Sequence, residues 1–534
     1  MAPLETSATS LSNRFPVALF VGQTLLVAVL TTNVLVKARQ AARSLPPPTA
    51  TRAQGVARRR HAITFSVLAF LSLASVTTFA VLWRALSYLD WAETGNHELP
   101  GTLWAGWYGT GEEGVGRWRL GDWLTDTDLF RASDEVAVAR PEAFLYTSQH
   151  FVALVANAMF MGIEGRRRNL SALTIASFVG LSAIGSLGYA LNLFFVIMLY
   201  TPLAIHNKDT PRHDALFTPK PAFFYVPVLV SIFALHSLPG QLADNKDVIL
   251  LRWGYVFVPL FLAFAPQIIT LRYWLRWGDH HVSKASAHRS YARVFYVLSI
   301  ASFILHWKIF GFALFANTPL KEGSVYDRFK HAVGKGRSTP SRLHEGINNL
   351  AQKLKPISIH PAVSVTTSDV FFTSVSLLAW AFIRDLDVET MLENSLFSFL
   401  APRKQEKHVE IAEPKEEDDD EPVPATTPKK RGRPKKSTLT NGASSSSAAS
   451  QSTGTLRRST RRGLRSDFES DAEDAYEPSS TATRDINQTE TDGAAITEDI
   501  VGPAESTALA LFFFFIGGLG QVSASVLGAE VTAE

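Results

Sequence analysis

Residues 170–203 read LSALTIASFVGLSAIGSLGYALNLFFVIMLYTPL, an apolar run without a charged side chain. As one straight helix these residues would reach about 51 Å at ~1.5 Å per residue, whereas a hydrocarbon core of about 30 Å is crossed by about 20 residues. Gly180, Gly185 and Gly188 lie inside the run. Its length and glycines predict a bend or tight hairpin of two short helices within a membrane protein. Just before it stand Glu164-Gly165-Arg166-Arg167-Arg168-Asn169. The arginine cluster assigns that end to the cytosolic side, because cytoplasmic loops carry an excess of Lys and Arg.

Working outward, eight more windows are long or apolar enough to lie in a membrane: Pro16–Val36, Ala62–Trp83, Ala143–Ile163, Ala222–Leu238, Val248–Leu271, Val294–Phe315, Val370–Ile383 and Ala508–Leu527. The first is longer than the apolar part of a cleaved secretory signal and its basic flank follows it, so it reads as a retained span. The chain has 534 residues, 46% of them hydrophobic, and a mean hydropathy of +0.07. The expected fold is all-α, a polytopic transmembrane helical bundle of about eight to ten spans. Loop charges orient it. The loop Lys37–Arg60 holds seven basic residues and no acid, and Ser87–Glu142 is rich in acids. A hairpin over residues 170–203 brings the basic loop Arg272–Arg293 to the cytosolic side and the acidic turn Asp244–Asp247 to the other. The basic loop Lys321–Lys355 runs against the rule, which long loops follow weakly.

The organisation is then a multi-span membrane domain over 1–401, a charged tail over 402–505, and a last hydrophobic span over 506–534. The tail carries an acidic run, Glu416–Glu421, a basic run, Lys429–Lys436, a serine patch, Ser444–Ser452, and a second basic cluster, Arg457–Arg465. Such a composition cannot bury enough apolar surface to offset its ordering entropy and is expected to be disordered. Within the basic run, Arg431-Gly432-Arg433-Pro434 resembles an AT-hook, whose extended core lies in the minor groove while flanking lysines neutralise phosphates. The same residues would serve as a nuclear localisation signal or a patch for anionic lipid. Nucleic acid is a partner only if the protein sits in the nuclear envelope.

Several chemistries are excluded or unsupported. There is no cysteine, which removes a disulfide scaffold, a thiolate zinc site, a thiol nucleophile and an iron–sulfur cluster. Lys plus Arg number 52 and Asp plus Glu 49, a net charge of +3 that hides the segregation along the chain. No P-loop, Gly-x-Gly-x-x-Gly, Gly-x-Ser-x-Gly, H-E-x-x-H or metal-binding aspartate pattern occurs in the membrane part. No metal and no cofactor is expected.

The loop before the third window, Trp118-Arg119-Leu120-Gly121-Asp122-Trp123-Leu124-Thr125-Asp126-Thr127-Asp128-Leu129-Phe130, sets Asp122, Asp126 and Asp128 among bulky apolar residues. Glu142 opens that window and Glu164 closes it. Acids at span borders commonly stay at the interface. In a cavity they would be desolvated, hold a proton and act as general acids. Trp118, Trp123, Phe130, Phe144 and Tyr146 would then face a carbocation, or form an interfacial aromatic belt. Ionisable residues inside windows are further candidates: Arg252, His236, His306 and Lys308.

The pattern Trp123-Leu124-x-Asp126-Thr127-x-Leu129-Phe130, followed by Gln149 to Asn169 ending in Gly162-Ile163-Glu164-Gly165-Arg166-Arg167, resembles fungal membrane-bound terpene cyclases of the ascochlorin and ascofuranone type. The match covers roughly 50 residues, with similar hydropathy to about residue 400. The resemblance implies ring closure on an epoxidised prenyl or terpenoid chain, without metal, in meroterpenoid secondary metabolism. An acid opens the epoxide, a cation cascade follows and a base removes the last proton. By that likeness Asp126 and Glu164 lead the catalytic candidates, and Trp123 and Phe130 line the substrate; the residues themselves add Asp122, Asp128 and Glu142 as acids and Trp118 and Tyr146 as lining. The tail and the last span depart from the pattern. The expected partners are a lipophilic substrate and membrane lipid, and the expected site is the endoplasmic reticulum membrane. Two other functions stay open. One is a nuclear-envelope or reticulum protein tethering chromatin through Arg431–Pro434. The other is a transporter, which would show related halves and broken helices.

Overall fold

The computed structural model describes residues 14–44, 55–100, 117–127, 129–138, 140–201, 217–244, 249–269, 278–280, 284–319, 328–329, 332–333, 339–401 and 501–532. The helices are α1 (Arg14–Ser44), α2 (Gly55–Thr94), α3 (Leu120–Asp126), α4 (Leu129–Val138), α5 (Pro141–Arg167), α6 (Ala172–Ile184), α7 (Leu187–Tyr200), α8 (Ala222–Ala243), α9 (Ile249–Ile269), α10 (Lys284–Asn317), α11 (Thr339–Ile359), α12 (Pro361–Arg384), α13 (Val388–Glu393) and α14 (Val501–Thr532). The all-α helical bundle expected from the sequence is what the chain adopts.

α5 stands at the centre. Every residue from His150 to Gly165 is buried, as befits a helix apolar on all sides. It packs against α9, α10, α12 and α14. At Gly162 an added Cβ would run into the backbone of Ala263 on α9, so glycine permits that close approach. By contrast α1 and α2 turn Leu25, Val29, Val67 and Phe70 outward, the arrangement for a face in contact with lipid.

The run at 170–203 folds as the hairpin its length predicts. α6 and α7 are separated at Gly185–Ser186, and the chain doubles back there. Phe178 and Phe194 lie seven residues before and eight after the break, yet their ring centroids are 5.5 Å apart. Both arms meet one stretch of α1. Asn33 donates to Ser177 Oγ at 2.8 Å, and the Tyr189 hydroxyl donates to the carbonyl of Thr31 at 3.3 Å. Arms of 13 and 14 residues reach only about 20 Å, so each is shorter than a helix that crosses a hydrocarbon core of about 30 Å.

A second hairpin stands where a single last span was expected. α14 is broken at Gly518, whose φ is +70°, and its two arms return to the same end of α12. Ser506 Oγ donates to the carbonyl of Ala381 at 3.2 Å, while Arg384 donates to Glu530 Oε1 at 2.8 Å. A straight helix would separate residues 506 and 530 by about 36 Å. The break begins at Gly517-Gly518, with Gly520 following.

Six helices among the described residues are long and apolar enough to cross a membrane: α1, α2, α8, α10, α12 and α14. The break makes α14 a re-entrant pair, so its length does not give one crossing. The expected eight to ten spans counted both hairpins by hydropathy, and a hairpin adds apolar length without adding a traverse. A short antiparallel pair, Phe217–Pro219 with Gly278–His280, joins the segment after α7 to the one before α10. α11 occupies much of Lys321–Lys355 and is amphipathic, which accounts for a basic loop that disobeys the charge rule. Residues 404–495 form a separate unit and lie outside the described residues.

Candidate functional site in the membrane interior

The second hairpin tip meets Gln149 of α5, and the first reaches the next residue, His150, through Asp369. Asp369, on α12, is 2% exposed and its carboxylate holds the first tip. Oδ1 accepts from Ser186 Oγ at 2.9 Å, from the backbone N–H of Gly188 at 2.8 Å and from Ser72 Oγ at 3.4 Å. Oδ2 accepts from the N–H of Leu187 at 2.6 Å. Those N–H groups are the unpaired donors that open α7, where the helix dipole favours negative charge. Gly188 lets the tip come this close, since a Cβ there would lie 2.7 Å from Ser72 Oγ.

The other partner of Asp369 is His150. His150 Nε2 lies 2.9 Å from Asp369 Oδ2, and its Nδ1 lies 2.5 Å from the Tyr255 hydroxyl on α9. A phenol, an imidazole and a carboxylate thus form one chain. The carboxylate fixes the ring and takes a hydrogen from Nε2, which leaves Nδ1 facing the phenol. This has the logic of a triad in which an acid orients a histidine and the histidine works on a hydroxyl. His150 is nine residues into α5 and Asp369 eight into α12, which sets both about 13 Å from the helix starts.

At the second tip, Gln149 Oε1 accepts the backbone N–H of Leu519 at 3.3 Å, and Trp307 Nε1 donates to the carbonyl of Ile516 at 2.8 Å. These contacts satisfy backbone groups freed by the break, which cannot be left unpaired in hydrocarbon. Ser299 Oγ donates to Gln521 Oε1 at 2.7 Å on the far arm.

The carboxylates proposed from the sequence fall into separate places. Asp122 pairs with Arg119, Nη2 to Oδ2 being 2.7 Å. Asp126 accepts from Trp91 Nε1 at 3.1 Å. Both lie on α3 in an aromatic cluster with Tyr88, whose ring is 5.0 Å from Trp118 and 5.6 Å from Trp123. Tyr146 belongs to a different cluster, with Ile357 and Val363. Glu142 accepts from Asn317 Nδ2 at 2.6 Å. Glu164 stands 22 residues further along α5, about 33 Å away. It pairs with Arg167 at 2.7 Å and with Arg168. Arg167 also donates to the carbonyl of Val531, so Glu164 belongs to an ion-pair clasp at the arginine-rich end. Asp128 lies outside the described residues, and Phe130 falls in α4. Arg431, Gly432, Arg433 and Pro434 also lie outside the described residues. Among the described residues no group of acids and histidines has the spacing of a metal site.

Of the intramembrane ionisable candidates, Lys308 Nζ lies 2.9 Å from His236 Nε2, and His306 faces Gln149. Asp369 and Tyr255 escaped the sequence reading. Asp369 sits one residue before the window that begins at Val370, and Tyr255 is one more aromatic in an apolar run. Their significance depends on partners 219 and 105 residues away.

No family model matches the chain, no curated protein matches it, and no solved structure matches it.

Proposed function

We propose that this protein is a membrane-embedded cyclase that closes a ring on an epoxidised prenyl or terpenoid chain by acid catalysis without a metal. The observation that carries the reading is the Tyr255–His150–Asp369 chain between apolar helices, and ionisable groups within membrane-spanning segments are retained for function. In this mechanism protonated His150, held by Asp369, gives its Nδ1 proton to Tyr255, and the Tyr255 hydroxyl protonates the epoxide oxygen. The C–O bond breaks with its electron pair passing to oxygen, which becomes a hydroxyl. An alkene π pair attacks the cationic carbon, and the C–H proton lost at the end of the cascade returns through the Tyr255 hydroxyl to neutral His150, which restores a double bond in the product and the protonated imidazole. The product is an isomer of the substrate. Glu164, clasped by two arginines, serves the fold in this reading, and Asp126 stands with the aromatic cluster at the other end of the bundle. The host membrane is the endoplasmic reticulum.

The test is incubation of microsomes carrying the full chain with farnesylated phenol epoxides. A new product of equal mass is expected, formed about a hundredfold more slowly or worse by Tyr255→Phe, which keeps the ring and removes the proton donor. Absence of an isomer from any such epoxide overturns the reading.

A second reading is a transporter. Two helical hairpins broken at membrane depth favour it, since transporters build midplane sites from discontinuous helices. It predicts movement of a solute into proteoliposomes with no change in its mass.

A further inference from the structure

The second hairpin tip fixes a proton on one atom. Because the N–H of Leu519 meets Gln149 at Oε1, the amide is oriented: a donor must face the carbonyl oxygen and not the NH2 group. The Gln149 amide nitrogen therefore faces His306 Nδ1, at 3.4 Å. That nitrogen is a donor, so Nδ1 must offer a lone pair. Neutral His306 then carries its hydrogen on Nε2.

His306 Nε2 has no hydrogen-bond partner among the described residues. Its ring is flanked by Trp307, edge-on at 6.1 Å, and by Phe310, nearly parallel at 6.4 Å. Gly518 presses on the pair from the tip, since a Cβ there would lie 2.8 Å from Gln149 Cδ and 3.0 Å from His306 Nδ1. The ring is thus held on one edge by the hairpin and walled by aromatics, with an N–H directed from the other edge. A donor in apolar surroundings is costly until an acceptor meets it.

We infer that His306 is a binding residue whose Nε2–H donates to an oxygen on the head of a lipophilic ligand, a phenol or carbonyl oxygen on an otherwise apolar molecule. The ligand class rests on the cyclase reading; the donor does not. Tyr255 handles the proton of the reaction, and His306 selects the oxygenated head.

Full-length protein in phosphatidylcholine nanodiscs is titrated with tritiated 2-farnesylphenol and with farnesylbenzene, which lacks the oxygen. The wild type is expected to bind the phenol about tenfold more tightly, the scale of one neutral hydrogen bond. His306→Phe should bind both equally, His306→Gln should keep part of the preference through its own N–H, and Tyr255→Phe should keep all of it. In 15N-histidine spectra the Nε2 signal lost in His306→Gln should move with the phenol and stay still with the hydrocarbon. That measurement uses the wild-type fold and stands if His306→Phe does not fold. Equal binding of the two ligands by the wild type, a preference that survives in His306→Phe, or an unmoved Nε2 signal overturns the inference. None of these needs turnover, so a failure here is distinct from the absence of an isomer from the epoxide.

Discussion

Gln149 and His150 are adjacent on α5 and hold different hairpins. Gln149 meets the backbone at the break of α14, and His150 meets the carboxylate that caps α7. Successive helical residues point about 100° apart, so one turn of one helix presents Gln149 to the second tip and His150 to the carboxylate that holds the first. The polar centre of the bundle is therefore a joint between re-entrant elements, and disturbing it is expected to affect stability and chemistry to different degrees.

Asp369→Asn replaces an acceptor oxygen with an NH2 group that would face the N–H of Leu187 or Gly188. Two donors in contact inside a buried site are expected to cost about 3 kcal/mol. Tyr255→Phe removes one end of the chain and leaves the tip intact, at about 1 kcal/mol. Thermal unfolding of the purified protein in detergent should therefore separate them, with Asp369→Asn melting well below Tyr255→Phe. Equal melting temperatures would mean that the carboxylate does not hold the hairpin.

Gly518→Ala places a Cβ on a left-handed residue and against the Gln149 and His306 side chains. A loss of about 1–2 kcal/mol is expected from the backbone alone, with the steric contact adding to it. Gly22→Ala, where a Cβ meets nothing within 4 Å, should be neutral or slightly stabilising. Fluorescence-detected size exclusion after graded heating reads both.

The Arg384–Glu530 pair closes the second arm of α14 onto α12, and Glu530 is only 6% exposed. Glu530→Ala leaves Arg384 and the nearby Trp380 Nε1 without their acceptor and should cost about 2–3 kcal/mol. The swap Arg384→Glu with Glu530→Arg should recover a measurable part of what either single reversal loses. Additive losses in the double variant would show that the two residues do not act as a pair.

The absence of cysteine makes the topology directly readable. Single cysteines at Asn169 and Thr201 flank the first hairpin, and both should react with a membrane-impermeant maleimide from one face of sealed vesicles. A cysteine at Glu98, beyond α2, should react from the other face. Labelling of 169 and 201 from opposite faces would make residues 170–203 a crossing segment.

Much of the fold was legible because it depends on length and apolarity, which are local. The 34-residue run with three glycines had to turn, and it does so at Gly185–Ser186. The second hairpin was not legible in the same way. Ala508–Leu527 has the length of one ordinary span, and only Gly517-Gly518 hinted that it breaks. The site was less legible still. His306 stood out as an ionisable group within a span. Asp369 lay at the edge of its window, and Tyr255 looked like packing. The acids that drew notice on α3 and α5 did so because they cluster in sequence. In three dimensions α5 itself separates Glu142 from Glu164 by its own length.

The position of α14 in the chain has a consequence for biosynthesis. The arms that fill the space against α5, α10 and α12 are made after 99 further residues, 402–500, have been translated. At about 5–20 residues per second, the bundle waits roughly 5–20 s with the Gln149, His306 and Trp380 sides of its centre uncovered. During that interval it is expected to need membrane chaperones and to be open to quality control. A premature stop anywhere in those 99 residues removes none of the earlier helices, yet it removes the keystone. Such truncations should be cleared by degradation as thoroughly as deletions of a central helix.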